Sequence, residues 1–193
     1  MIEIVRRNFE ESAQLIGSLL DEKFLEKVSQ AAQKIVGAIE SGGKVIVAGN
    51  GGSAADAQHF VAELVGRFQR ERRGFPAVAL TTNTSVLTAL ANDYSFEKVF
   101  SRQIEALARP EDVFVGISTS GNSPNIVSAF ETAKKLGIFS IGLLGKGGGK
   151  CAGMCDLPII VPHNKTARIQ EAHILIIHAI CDAVETTLAG EGR

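Results

Sequence analysis

Over the first forty residues apolar side chains recur at helical spacing: Ile4, Phe9, Leu15, Ile16, Leu19 and Leu20, then Phe24, Leu25, Val28, Ala32, Ile35 and Val36. This pattern predicts a helical hairpin over residues 3–40, broken near Asp21. After Ser41-Gly42-Gly43 the period changes to short apolar runs of strand length, at Val45–Ala48, Ala77–Leu80, Val113–Ile117, Ser140–Leu144 and Leu157–Val161. Helical patterns lie between them, at about 54–68, 96–108 and 124–136, and a last one follows at about 166–188. Runs that are apolar on both faces and alternate with helices predict an α/β fold, a doubly wound five-stranded parallel sheet of flavodoxin-like form. We expect one domain over 1–193, with 1–40 as an extension of the core at 41–193. Ligands bind such sheets at the carboxyl ends of the strands, so the strand-to-helix loops are where chemistry is expected.

Composition narrows the function classes. The chain has 193 residues, 45% hydrophobic and 21% charged, with 20 basic against 21 acidic side chains. Such a chain buries a core without disulfides or structural metals. The three cysteines, Cys151, Cys155 and Cys181, form no CxxC pair and read as free thiols. A net charge of −1 provides no field for a nucleic-acid backbone. The one dense basic run, Arg67 to Arg73, reads as a solvated helix end. The amino terminus lacks the apolar stretch of a signal peptide, and no window approaches the roughly 18 apolar residues of a membrane span. A cytoplasmic protein with no nucleic-acid or membrane partner is expected.

The first loop, Gly49-Asn50-Gly51-Gly52-Ser53-Ala54, matches a GxGxxA dinucleotide fingerprint. The next strand, however, runs into Thr81-Thr82-Asn83-Thr84 and lacks the acid that would bind a ribose. What remains is a glycine-rich turn at a helix start, either a seat for anion or sugar oxygens or simply a tight turn with its cap. The loop after the third strand crowds the hydroxyls of Ser118, Thr119, Ser120 and Ser123 at another helix start. Several donors converging on one point suit a phosphate monoester, although Ser123 before Pro124 also reads as an N-cap. A third glycine loop, Gly145 to Lys150, reads as flexible.

Two further pairs lie on helices. His59 and Glu63 are four apart and share a face, while Gln170 and His178 are two turns apart in an apolar stretch. A surface contact and a core histidine are the bland readings. A carboxylate and an imidazole facing each other across a sugar phosphate are what proton abstraction beside a carbonyl needs. His59, Glu63, Gln170 and His178 are also acceptable zinc ligands, although Gln170 and His178 lie about 12 Å apart along the helix axis.

Taken together, Asn50-Gly51-Gly52-Ser53, His59-x3-Glu63, Asn92-Asp93, Ser118 to Ser123 and Arg168-Ile169-Gln170-Glu171-x6-His178 resemble the phosphoheptose isomerase family of the sugar isomerase (SIS) fold, over nearly the whole chain. The resemblance implies conversion of sedoheptulose 7-phosphate to D-glycero-D-manno-heptose 7-phosphate by homotetramers whose sites are completed by neighbouring subunits, with the 1–40 hairpin in subunit packing. It implies that Asn50, Gly51, Gly52, Ser53, Asn92, Asp93 and Gln170 contact substrate and that Ser118, Thr119, Ser120 and Ser123 form the phosphate pocket. Glu63 becomes the base between C1 and C2, with His178 as its acid–base partner, and His59, Glu63, Gln170 and His178 the ligands of one zinc ion per subunit. At Ala167 some relatives carry aspartate. Residues 55–60 and 85–93 also look like adaptors that bind a replication initiator, a non-catalytic alternative with no need of the Glu63–His178 pair.

Overall fold

A computed structural model describes residues 1–189. Helices α1 (Ile2–Ser18) and α2 (Glu22–Glu40) are present as expected, but they scarcely touch each other and both pack on the last helix, so the N-terminal segment is two successive helices rather than a closed hairpin. The break between them is set by Asp21, whose side chain accepts a hydrogen bond from the Phe24 amide and caps α2. The core then alternates β1 (Val45–Gly49), α3 (Gly52–Val65), β2 (Ala77–Ala79), α4 (Thr84–Asp93), α5 (Ser101–Leu107), β3 (Val113–Ser118), α6 (Pro124–Lys135), β4 (Phe139–Leu144), β5 (Leu157–Ile160) and α7 (Thr166–Ala189). The five strands are parallel in the order β2-β1-β3-β4-β5. Each predicted strand is present with its ends within a residue of the expectation.

The strands are apolar on both sides because both sides are covered. Val45 and Val47 join Val113, Val115 and Ile117 in a core shared with α2, α3 and α7, whereas Ile46, Ala48 and Phe114 face α5 and α6. The order reverses between β1 and β3, so the crevice beyond their carboxyl ends is the switch point at which such sheets bind ligands. The two loops singled out in the sequence leave from those two strands.

Four further expectations are corrected. Helix α4 was not foreseen: none of its residues is fully buried, so its apolar period is faint, and Asn83, which caps it by accepting from the Val86 amide, is its clearest signal. The pattern at 96–108 is a short 3-10 turn followed by α5. The Gly145–Lys150 loop is packed rather than flexible; the Cys151 and Lys150 amides donate to Gly121 O and Asn122 Oδ1, at 2.9 and 3.0 Å. The Arg67–Arg73 run is no solvated helix end either, because α3 stops at Val65 and Arg72 turns inward onto the buried Glu185. The membrane reading also needs amending. By length and a mean hydropathy of 1.4, α7 alone among the described helices is apolar enough to span a bilayer. It is instead a core helix, and it buries Arg168, His173 and Glu185 along with its apolar face.

His173 makes that core sensitive to acid. It is wholly buried and donates from Nε2 to the Leu144 carbonyl at 3.1 Å. Burial pushes its pKa down to about 4, against the opposing pull of that carbonyl. The unfolded chain takes up the proton near 6.5 and the folded chain only near 4, so stability falls as pH drops between those values. The expected loss is about 3 kcal/mol. Denaturant titrations at pH 7 and 4.5 should show it, and His173→Gln should flatten that part of the profile.

Candidate functional site

The first loop is built for close approach. Gly51 takes a φ of +57°, which turns the chain from β1 into α3. Ser53 is buried in the first turn of α3, and Gly52 lies against the Gln170 side-chain amide of α7. Asn50 is engaged within the protein. Its amide exchanges two hydrogen bonds, each 2.9 Å, with Asn125 at the start of α6, bracing the β1 loop against the β3 loop. Asn125 is buried and was missed by sequence reading, where only its place beside the serine loop marked it.

In the second loop Ser123 occupies the N-cap position of α6 without making a capping bond. Its hydroxyl lies 3.0 Å from Ser118 Oγ, and Ser118 Oγ lies 3.4 Å from Ser120 Oγ. The hydroxyls therefore converge on one another, leaving helix-terminal amides of α6 uncapped by that side chain. Converging O–H groups and a helix N-terminus make an anion seat. The turn that gathers them passes through Gly121, with φ +64°, where a side chain would run into the Gly148 carbonyl.

The acid–base residues lie farther along the helices. On α3 the residues Ser53, Ala57, Phe60 and Leu64 face the core, which leaves His59 and Glu63 on an outer face. Their side chains meet at 2.9 Å, from Nε2 to Oε1. From α7, His178 brings its Nε2 to 3.5 Å from His59 Nε2, and the Phe68 ring lies 5.6 Å from the His178 ring. A groove of about 690 Å³, lined by His59, Val61, Val65 and the β2 edge, opens beside them. Asp56, one turn before His59, was not singled out in the sequence. Burial raises its carboxyl pKa, His59 lowers it, and Oδ2 has no partner.

The donor atoms of His59, Glu63 and His178 lie within 4.8 Å of one another. Two imidazole nitrogens on one tetrahedral zinc ion, each bonded at about 2.1 Å, stand about 3.4 Å apart. The His59–His178 separation of 3.5 Å fits that arrangement, and the donor set suits the ion. Gln170 stands apart: it is two turns from His178, about 12 Å along the axis, with its amide at Gly52. Asn92 and Asp93 are exposed at the end of α4, where they bond each other at 2.8 Å. Ala167 is exposed and offers no polar group.

Similarity to known proteins extends over the whole chain. A family model described as SIS domain matches residues 8–145. A phosphoheptose isomerase of Geotalea daltonii is 54% identical over 193 residues, covering 100% of both chains. Among solved structures, a phosphoheptose isomerase from Neisseria gonorrhoeae superposes with a TM-score of 0.88 at 46% identity, covering 95% of this chain and 98% of that one. One from Francisella tularensis superposes with a TM-score of 0.92 at 38% identity, covering 96% and 98%.

Proposed function

The chain belongs to the SIS-domain family and, within it, to the phosphoheptose isomerases, and on that premise we propose that Glu63 and His178 move the protons of its reaction. It is an aldose–ketose isomerase that interconverts sedoheptulose 7-phosphate and D-glycero-D-manno-heptose 7-phosphate, the first step toward nucleotide-activated heptose. The observation that carries the proposal is the meeting of one carboxylate and two imidazoles on facing helices.

The phosphate is held by Ser118, Thr119, Ser120 and Ser123 and by the N-terminal amides of α6. Gly51, Gly52, Ser53 and Gln170 border the sugar, and Asn50 keeps that border in place through Asn125. Glu63 takes the C1 proton of the open-chain ketose and returns it to C2 on the same face. His178 carries the hydroxyl proton between O1 and O2, so that neither oxygen bears a full charge in the enediol. His59 lies beside both groups and fixes their orientation.

A zinc ion held by His59, Glu63 and His178 would polarise the carbonyl and acidify the adjacent C–H. Gln170 joins that set only by reaching along α7. Removal of metal by a chelator should cut turnover at least about tenfold, and added zinc should restore it. Full turnover by protein shown metal-free by elemental analysis would reject the metal.

The substrate site is assembled between subunits of a homotetramer. Two observations support this: the groove beside His59 is lined by none of the serine-loop residues, and α1 exposes Ile2, Val5 and Phe9 along one face. On this reading Asn92 and Asp93 meet substrate across a subunit boundary, and the helices of residues 1–40 serve packing. The free thiols and a sugar-phosphate substrate suit the cytoplasm. The presence of both Glu63 and His178 favours the enzyme over an initiator-binding adaptor.

A further inference from the structure

Glu63 and His178 sit on different helices, and their separation must be held while protons move. We propose that Glu185 and Arg72, far from each other in sequence, are positioning residues that hold the acid–base pair in register. This rests on the reaction assigned above.

Glu185 lies on α7 seven residues after His178, two turns along the same helix face. It is fully buried, and its carboxylate is saturated with donors. Oε1 accepts from the Phe68 amide at 2.9 Å and from Arg72 Nε at 2.8 Å; Oε2 accepts from the Gln69 and Arg70 amides at 2.7 and 2.9 Å. Burial alone would raise its pKa, but the amides and Arg72 hold it below the usual carboxylate range.

The other guanidinium nitrogens of Arg72 cap the end of α3. Nη2 donates to the Glu63 carbonyl at 2.8 Å, and Nη1 donates to the Leu64 and Gly66 carbonyls at 2.9 and 3.2 Å. Carbonyls at a helix end have no intrahelical partners, so this fork fixes the turn that carries Glu63. An unbroken line of bonds thus runs from the Glu63 backbone through Arg72 and Glu185 into α7, which carries His178. The same carboxylate holds the Phe68 amide, and the Phe68 ring lies 5.6 Å from the His178 ring. A buried ion pair adds little stability over apolar packing of the same volume. Its value here lies in geometry, since misplacing a reacting group by about 1 Å can cost about 10²-fold in rate.

The test compares kcat and KM for sedoheptulose 7-phosphate, together with Tm, in wild type, Glu185→Gln, Arg72→Lys and Asp112→Asn. Asp112 supplies the control. It is buried and forms another ion pair, 2.6 Å from the Nζ of half-buried Lys44, at the amino ends of β1 and β3. Glu185→Gln and Arg72→Lys are expected to lower kcat about tenfold or more with KM within about twofold, while Asp112→Asn lowers Tm and leaves kcat within about twofold. A wild-type kcat in Glu185→Gln, or equal kcat losses in Glu185→Gln and Asp112→Asn, overturns the proposal. Should Glu185→Gln fail to fold, Phe68→Leu carries the test. A fall in kcat at constant KM supports the proposal, and no change overturns it. Wild type that leaves the heptulose phosphate untouched overturns the reaction assignment itself, an outcome distinct from all of these.

Discussion

Glu63→Gln is expected to lower kcat by about 10²- to 10⁴-fold, the range over which a positioned general base acts. The substitution keeps the shape of the side chain and one oxygen for His59, so the cluster need not rearrange. It removes the carboxylate of the cluster, the group assigned above to take the C1 proton; His59 meets that carboxylate, and His178 stands against His59. The hydroxyl cluster proposed to seat the phosphate belongs to the β3–α6 loop and makes no bond to Glu63. Binding of the sugar phosphate, measured by calorimetry, should therefore stay within about threefold of wild type, separating a lost base from a lost site.

Gly121→Ala is expected to strike the opposite half of the site. The residue sits at φ +64°, a conformation that costs an L side chain about 1–2 kcal/mol. An added Cβ would also enter the Gly148 carbonyl, and such overpacking costs about 1–3 kcal/mol. The loop can relieve the clash only by moving Ser120 and Asn122 away from Ser118 and Lys150, which disperses the hydroxyl cluster. KM for the sugar phosphate should rise about tenfold or more, with a lower Tm. Gly147 also has positive φ, at +77°, but has open space around it. Gly147→Ala should therefore lower Tm less and leave KM near wild type.

How much of this was legible in the sequence follows from what each residue answers to. A strand covered on both faces must be apolar throughout, so Val45–Gly49 and Val113–Ser118 announce themselves locally. His59 and Glu63 were legible for a similar reason, because four residues along a helix is one step across its surface. Helix α4 escaped because it buries no residue fully and shows little apolar period. Arg72 and Glu185 escaped because neither says anything alone: the run around Arg72 looks solvated until α7 lays a carboxylate on it from 113 residues away. The packed Gly145–Lys150 loop was hidden in the same way, since its order comes from Gly121 and Asn122. Asn50 stood out in its glycine loop, yet its tie to Asn125 crosses 75 residues and carries no local signature. The distance along α7 between Gln170 and His178 was visible from helix geometry, and in the structure the Gln170 amide lies at Gly52.

The central claim is that this chain moves a proton between C1 and C2 of a seven-carbon ketose phosphate. Its most direct test is to follow zinc-supplemented wild-type protein with sedoheptulose 7-phosphate by NMR, with fructose 6-phosphate in a parallel sample. The account predicts that the aldoheptose phosphate appears until equilibrium is reached, while the hexulose phosphate is left largely unchanged. A folded protein that binds the heptulose phosphate and leaves it unconverted would contradict it.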